Sequence, residues 1–146
     1  KGSTSGRLMP EYHIRKNFQK TPEQVFERVG FSGNHSRTIT LVQSGAYQVG
    51  ATNFKVWKRE LAAGNIDTSK VSVIWETPGY PDYNWSIRGD VDKKYGTGFI
   101  KKVKSSLLNL KDPGLLASFP RKGFIAASNK DFEPIVLTGK KIGLID

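Results

Sequence analysis

The amino-acid sequence predicts an α/β fold, in which helices cover the faces of a mainly parallel β-sheet. Short apolar and β-branched runs alternate along the chain with segments whose apolar residues have helical spacing. The chain has 146 residues, of which 37% are apolar, and this is enough for one ordinary globular core. No apolar run approaches the roughly 18 residues that would span a membrane.

The first two predicted helices begin at side chains that cap helix N-termini. A helix is expected to open on the hydroxyl cluster Ser3-Thr4-Ser5 and to continue through Arg7–Arg15. The sequence Thr21-Pro22-Glu23-Gln24 has the spacing of a capping box, with proline at the first helical position. This spacing predicts a second, short helix that ends at Gly30.

Helices and strands then alternate as far as residue 75. Ser36–Ser44 is predicted to be a helix and Ala46–Thr52 a strand. Asn53 is expected to cap a helix that ends before Gly64, and Val71–Trp75 is predicted to be the next strand. Because strands alternate with helices here, the pattern indicates a parallel sheet.

The segment Thr77–Asp82 interrupts this alternation with two prolines and a glycine, and it is the best candidate for a linker or crossover. After it, Tyr83–Arg88 is predicted to be a strand and Phe99–Leu110 an amphipathic helix. Asn129 is expected to cap a last helix that runs through Lys140.

Charge and composition limit the classes of function. The net charge of +10 calls for an anionic partner, and nucleic acid is the first candidate to consider. The lysines and arginines are spread along the chain, however, in pairs that are typical of solvated helix faces. The chain has no cysteine, and His13 and His35 lack carboxylates at metal-ligand spacing. The sequence therefore predicts no metal site and no cofactor, and it contains none of the common hydrolase or nucleotide-binding motifs.

Three features are candidates for binding an anion. Three hydroxyls and unpaired amides at a helix start, as at Ser3-Thr4-Ser5, suit a tetrahedral oxyanion, although such residues also serve as plain caps. His35 lies at a second predicted helix start, where it could face the same crevice or simply be a turn residue in water. Asp82 could accept a hydrogen bond from a protonated oxyanion and so select it, or it could stabilise a turn.

Four segments of the chain form a series: Gly2–Pro10, Phe31–His35, Gly50–Asn53 and Tyr80–Trp85. In this order they resemble the phosphonate/phosphite/phosphate-type substrate-binding proteins of ABC transporters, and the resemblance extends over essentially the whole chain. It implies a type II periplasmic-binding-protein fold, in which two α/β lobes joined by crossover strands close on a ligand.

The resemblance also implies roles for individual residues. Ser3, Thr4 and Ser5 would hold the phosphorus oxygens through their hydroxyls and amides, and His35 would be a further donor. Asp82, in the crossover, would contact the protonated oxygen or the substituent of the ligand.

Proteins of this family are much longer than this chain. Residues 1–82 would form the second lobe without its first strand, together with the crossover, and residues 83–146 would be the return segment that belongs to the first lobe. The apolar helices of the return segment would then need a partner, either the missing N-terminal lobe or a second copy of the chain. Because the ligand contacts of the first lobe would be absent, weak binding or no binding by this chain alone is expected.

One departure from the family pattern concerns specificity. Relatives that prefer aminoalkylphosphonates carry an acidic residue shortly after the Ala-Thr-Asn motif, whereas here Asn53 is followed by Phe54–Trp57 and no carboxylate occurs before Glu60. This departure favours phosphite, phosphate or a small alkylphosphonate.

The sequence therefore predicts the solute-binding component of an ABC importer, which binds a small phosphorus oxyanion and delivers it to a membrane permease. The expected location is periplasmic or otherwise extracytoplasmic, with or without a membrane anchor, and no enzymatic activity is expected. A sensor of the same fold, a binder of sulfate or selenate, and an enzyme that acts on phosphate esters are the alternatives.

Overall fold

A computed structural model describes residues 2–81, 83–117 and 122–146. These residues form helices joined by irregular segments, and they contain no β-strand. In chain order the elements are a π-helical turn Thr4–Leu8, α1 Met9–Phe18, α2 Pro22–Val25, α3 His35–Gln43, α4 Phe54–Ala62, α5 Val91–Tyr95, α6 Phe99–Leu108, α7 Pro113–Leu116, a 3-10 turn Asn129–Phe132 and α8 Glu133–Lys141.

The chain divides into two compact units. The first unit contains the residues up to Tyr80 together with Glu133–Asp146, and the second contains Pro81–Phe132. The boundary after Tyr80 lies within the predicted crossover, and α8 belongs to the first unit. The assignment of residues 1–82 and 83–146 to two lobes stays a prediction.

The first unit is built on two helix pairings. In one, α1 packs against α2 and α8, and in the other α3 packs against α4. Its buried apolar side chains are Met9, Ile39, Ile66 and Ile142. Within the described part of the chain, no helix has the length and apolar character needed to cross a bilayer.

Local capping chemistry sets the bounds of α3 and α4, and both predicted helices are confirmed. Asn34 Oδ1 accepts a hydrogen bond from the Arg37 amide at 2.8 Å, and Asn53 Oδ1 accepts one from the Lys55 amide at 2.9 Å. Each helix is followed closely by a glycine with positive φ, Gly45 at 78° and Gly64 at 74°. A residue with a Cβ would be strained there, so these glycines stop the helices.

Two predicted helix bounds are wrong. The predicted capping box is present, with the Thr21 amide donating to Gln24 Oε1 at 2.9 Å, but α2 ends at Val25 because Phe26 already has extended backbone angles (φ −109°, ψ 139°). The predicted last helix also differs, because Asn129 begins a 3-10 turn and α8 starts only at Glu133.

The three predicted strands are not formed. All three segments lie outside every helix and pair with no described strand: Ala46–Thr52, Val71–Trp75 and Tyr83–Arg88. Local alternation of apolar residues cannot supply the neighbouring strand that a hydrogen-bonded ladder requires. The described residues therefore show helices without the sheet that the α/β class needs.

These unpaired segments expose large apolar side chains. Ile74 is 81% exposed and Tyr83 is 86% exposed.

The second unit is organised by the carboxylate of Asp92. Its two oxygens accept hydrogen bonds from the amides of Gly98 at 3.0 Å and Ile100 at 2.8 Å, which fixes α5 against the start of α6. One short helix, α5, was not predicted. In α7 the N-cap Asp112 accepts a hydrogen bond from the Leu115 amide at 2.8 Å. The predicted helix from Phe99 is confirmed and ends at Leu108.

Candidate functional site

The hydroxyl cluster lies at the start of the first helix, as the sequence predicted. Ser3 is the N-cap, and its Oγ accepts a hydrogen bond from the Gly6 amide at 2.9 Å. The Ser3 carbonyl accepts from two amides, Arg7 at 2.9 Å and Leu8 at 3.0 Å, so the first turn is wider than an α-helical turn. The amides and hydroxyls of Thr4 and Ser5 have no hydrogen-bond partner among the described residues, and both side chains are half-buried.

His35 joins the starts of α3 and α4. It is the first residue of α3, and its Nδ1 accepts a hydrogen bond from the backbone amide of Asn53, the N-cap of α4, at 3.2 Å. The Thr52 hydroxyl donates to the His35 carbonyl at 3.4 Å. These two contacts hold the beginnings of both helices together.

The imidazole of His35 also lies against the first turn of the hydroxyl cluster. A methyl group placed on the Cα atom of Gly6 would lie 3.0 Å from Ser3 Oγ and 3.5 Å from His35 Cε1. Gly6 therefore leaves room for the close approach of Ser3 and His35. The structure thus brings together Ser3, Thr4, Ser5 and His35, four of the five predicted site residues.

Three helix starts consequently meet in one place within the first unit. A helix N-terminus carries about half a positive charge and presents free amides. The first turns at Thr4, His35 and Phe54 contain no acidic residue, so nothing within them neutralises this charge. The arrangement favours an anion with several acceptor oxygens.

The protonation of His35 follows from its contacts. Because Nδ1 accepts the Asn53 amide, the neutral ring carries its proton on Nε2. Burial lowers the pKa of His35 below its usual 6.5. At neutral pH the ring is therefore an uncharged hydrogen-bond donor through Nε2.

The buried carboxylate of Glu11 contacts the first helical turn through Arg7. Glu11 is only 2% exposed and lies between Arg7, which contacts it through Nε, and Arg15, whose guanidinium reaches it at 2.6 Å. Arg7 also donates to Glu23 at 3.1 Å, and its guanidinium lies 5.5 Å from the centre of the Phe31 ring. These contacts anchor Arg7 to α1, to α2 and to the segment before α3.

A cavity of about 270 Å³ lies beside the hydroxyl cluster. It separates the first turn from α8 and from the C-terminal residues of the chain. Its walls are mainly apolar and consist of Gly2, Ser3, Thr4, Arg7, Leu8, Ile135, Val136, Gly139, Leu144 and Ile145. Sequence patterns gave no indication of this cavity, because its walls are more than 120 residues apart in the chain.

The carboxylate of Glu60 is engaged in the first unit. It accepts hydrogen bonds from Arg59 at 2.6 Å, from Asn65 at 2.8 Å and from Ser36 at 2.8 Å. These bonds lower the pKa of Glu60 to about 2. The hydrogen bond from Ser36 joins α3 to α4. Because three donors already occupy the Glu60 carboxylate, it is not an open site for an ammonium group.

The fifth predicted site residue, Asp82, lies outside the described residues. Sequence reasoning missed the role of Asn53, whose amide orients the imidazole of His35; it had been predicted only as a helix cap. Among the described residues, no three histidine, aspartate or glutamate side chains are close enough together to hold a metal ion.

Comparison with known proteins places the chain in a family. The periplasmic substrate-binding proteins of phosphonate ABC transporters match residues 1–132 of the chain. The chain belongs to this family. The prediction of a binding protein, in place of an enzyme, is confirmed at the level of the family.

Two comparisons concern one relative from this phosphonate-binding family. The chain is 40% identical, over 98% of its length, to the probable ABC transporter phosphite binding protein PhnD1 of Prochlorococcus marinus (strain MIT 9301). The 1.52 Å structure of PhnD1 from this organism in complex with methylphosphonate matches 99% of the chain with a TM-score of 0.84 and 39% identity. The chain spans about half of the relative, 50% of its sequence and 55% of the solved chain. It therefore has the fold of the matched part of a periplasmic binding protein.

Proposed function

We propose that this chain belongs to the solute-binding component of an ABC importer and binds a small phosphorus oxyanion, namely phosphonate, phosphite or phosphate. The observation that carries the proposal is the meeting of three helix starts, at Ser3–Ser5, His35 and Asn53, whose first turns contain no acidic residue. Membership of the phosphonate-binding family and the ligands named for the relative support the same class of anion.

In this proposal the oxyanion accepts hydrogen bonds from both kinds of donor at the first turn. The free amides of Thr4 and Ser5 bind two phosphorus oxygens, and the hydroxyls of both residues add further donors. The Ser3 hydroxyl already accepts the Gly6 amide, and its own proton remains to be donated to the ligand. His35 donates from Nε2 without having to be charged.

Three features support a preference among such ligands. The apolar cavity beside Thr4 offers space for a small alkyl substituent. Glu60 is occupied by three donors, which supports discrimination against aminoalkylphosphonates. Asp82 is proposed, from its sequence position in the crossover, to accept a hydrogen bond from a protonated oxygen of the ligand.

We further propose that the working protein has the two-lobed α/β fold of type II periplasmic binding proteins. The unpaired segments 71–75 and 83–88 would then become strands when polypeptide corresponding to the rest of the relative pairs with them. The exposed apolar side chains of these segments and the half-length match to PhnD1 support this proposal. A second copy of the chain is the competing partner.

The proposed site of action is outside the cytoplasm, where the loaded protein would deliver its ligand to the membrane permease of the importer. The periplasmic description of the family supports this location. A sensor of the same fold would bind the same ligand without a permease, so pull-down of the permease from membranes separates these two roles.

Calorimetric titration tests the proposed function. The chain is mixed with the remaining half of PhnD1 and titrated with phosphite, phosphate, methylphosphonate, 2-aminoethylphosphonate and sulfate. Saturable binding of one phosphorus oxyanion in preference to sulfate is expected. Preferred binding of sulfate, or hydrolysis of a phosphate ester by the mixture, would contradict the proposal.

Thr4→Ala/Ser5→Ala is the variant that locates the ligand. These side chains have no partner among the described residues, so their removal should leave stability almost unchanged while affinity falls by roughly 1–3 kcal/mol for each charge-assisted bond lost. Ser105→Ala/Ser106→Ala, which removes two exposed hydroxyls from α6, is the matched control. Equal affinity of the two variants would remove the first turn from the site.

A further inference from the structure

The second unit carries a cluster of lysines that the oxyanion site does not use. Lys93 and Lys94 lie on α5, and Lys101, Lys102 and Lys104 lie on α6, all of them exposed. We call these five residues the lysine surface. We propose that the lysine surface binds an anionic lipid membrane.

The positive charge of the lysine surface is not neutralised locally. Asp92 is the only acidic residue between residues 91 and 110, and both its oxygens are taken by the amides of Gly98 and Ile100. None of the five lysines forms an ion pair with a described residue, and nearby Arg88 is paired with Asp90 at 2.7 Å. The described part of this segment therefore presents five lysines without an ion pair next to one engaged carboxylate.

Helix α6 is two-sided. Ile100, Val103 and Leu107 share one side and are half-buried, Lys101 and Lys102 lie on the opposite side, and Lys104 lies at the border between the two sides. Clustered lysines that face solvent on a helix attract the headgroups of anionic lipid.

Aromatic stacking joins the two helices of the lysine surface. The Lys94 ammonium lies 5.2 Å from the centre of the Tyr95 ring, and Tyr95 stacks on Phe99 at 5.0 Å. Tyr95 is 57% exposed, and tyrosine is favoured at the boundary between lipid and water. Lysine and tyrosine therefore occur side by side at the corner between α5 and α6.

The residue types favour lipid over an acidic protein. All five cations are lysines, which act as flexible point charges in the diffuse field of many headgroups. Arginine, the residue suited to fixed bidentate pairing with a carboxylate, is absent from the surface. A membrane contact of this kind would hold the chain close to the bilayer, and it does not depend on the oxyanion site.

Vesicle flotation of the 146-residue chain tests the proposal. Vesicles of phosphatidylcholine alone are compared with an equal mixture of phosphatidylcholine and phosphatidylglycerol, at about 0.1 M and about 1 M salt, where the Debye length falls from about 10 Å to about 3 Å. Binding is expected only to the mixed vesicles and only at the lower salt concentration. Equal flotation with both kinds of vesicle would mean adsorption through exposed apolar side chains and would overturn the proposal.

Two triple variants locate the contact. Lys101→Gln/Lys102→Gln/Lys104→Gln should lower partitioning on the order of 100-fold, at about fivefold per lysine. The control removes three exposed lysines of the first unit, Lys16, Lys20 and Lys140, and should bind much as the parent does. Equal losses in both variants would show an effect of net charge alone. Binding of the lysine surface to an acidic protein, without any binding to vesicles, would assign the surface to a protein partner. Equal losses in the two variants, or binding to a protein alone, would refute the membrane proposal.

Discussion

Two substitutions of His35 separate its structural role from its proposed role in binding. His35→Asn places an amide oxygen near the position of Nδ1, so the Asn53 amide keeps an acceptor, but the Nε2 proton is lost. His35→Ala removes both the acceptor and the donor. The two variants should therefore differ in stability and agree in affinity.

The magnitudes follow from the contacts. In His35→Ala, the Asn53 amide loses its part-buried acceptor, at a cost of about 1 kcal/mol, and the lost contacts of the half-buried ring add about 0.5–1 kcal/mol. In His35→Asn only the second cost applies. Both variants lose one charge-assisted bond to the oxyanion, worth about 1.5–3 kcal/mol, which lowers affinity about 10- to 100-fold.

Urea unfolding followed by circular dichroism measures the stabilities, and calorimetry with methylphosphonate measures the affinities. We expect His35→Ala to be about 1 kcal/mol less stable than His35→Asn. Equal stability of the two variants would refute the role given to the Asn53 contact. Affinity of His35→Asn equal to that of the parent would refute the role of Nε2 as a donor.

Three further predictions concern titration, buried charge and selectivity. Burial lowers the pKa of both His13 and His35, so below pH 6.5 the unfolded chain binds more protons than the folded chain. The free energy of unfolding should therefore fall as the pH drops below 6.5 and level off above that value. A free energy of unfolding that does not change with pH in urea titrations would contradict this. Glu11→Gln should destabilise the chain by about 1–3 kcal/mol, because it leaves two partly exposed arginines without their buried carboxylate. Glu27 is exposed, so the control variant Glu27→Gln should change the unfolding midpoint little. Asp82→Asn should shift selectivity towards sulfate in competition titrations, and unchanged selectivity would make Asp82 a turn residue.

Helix starts could be predicted from the sequence because their chemistry is local. Asn34 and Asn53 cap helices through amides two or three residues away, and Gly45 and Gly64 stop those helices through their own backbone angles. Helix α7 begins in the same way, since Asp112 followed by Pro113 is a helix-start signal. The hydroxyl cluster was found in this way as well.

Features that depend on distant residues were beyond such reasoning. A strand at Val71–Trp75 requires a neighbouring strand, and a local apolar pattern does not show whether one is present. The contact between His35 and Asn53 joins residues 18 positions apart, and no spacing rule predicts it. The burial of Glu11 likewise results from packing around α1, because its sequence neighbours look like those of a surface residue.

The central claim is that the helix starts around Ser3–Ser5 and His35 bind a phosphorus oxyanion. The ¹⁵N-labelled chain is mixed with the unlabelled remaining half of PhnD1 and titrated with methylphosphonate. The amide resonances of the labelled chain then test this claim directly. We predict saturable shifts that are largest for the free amides of Thr4 and Ser5, with smaller shifts around Asn53. Saturable shifts centred elsewhere in the chain, or no shifts at the first turn, would contradict the account.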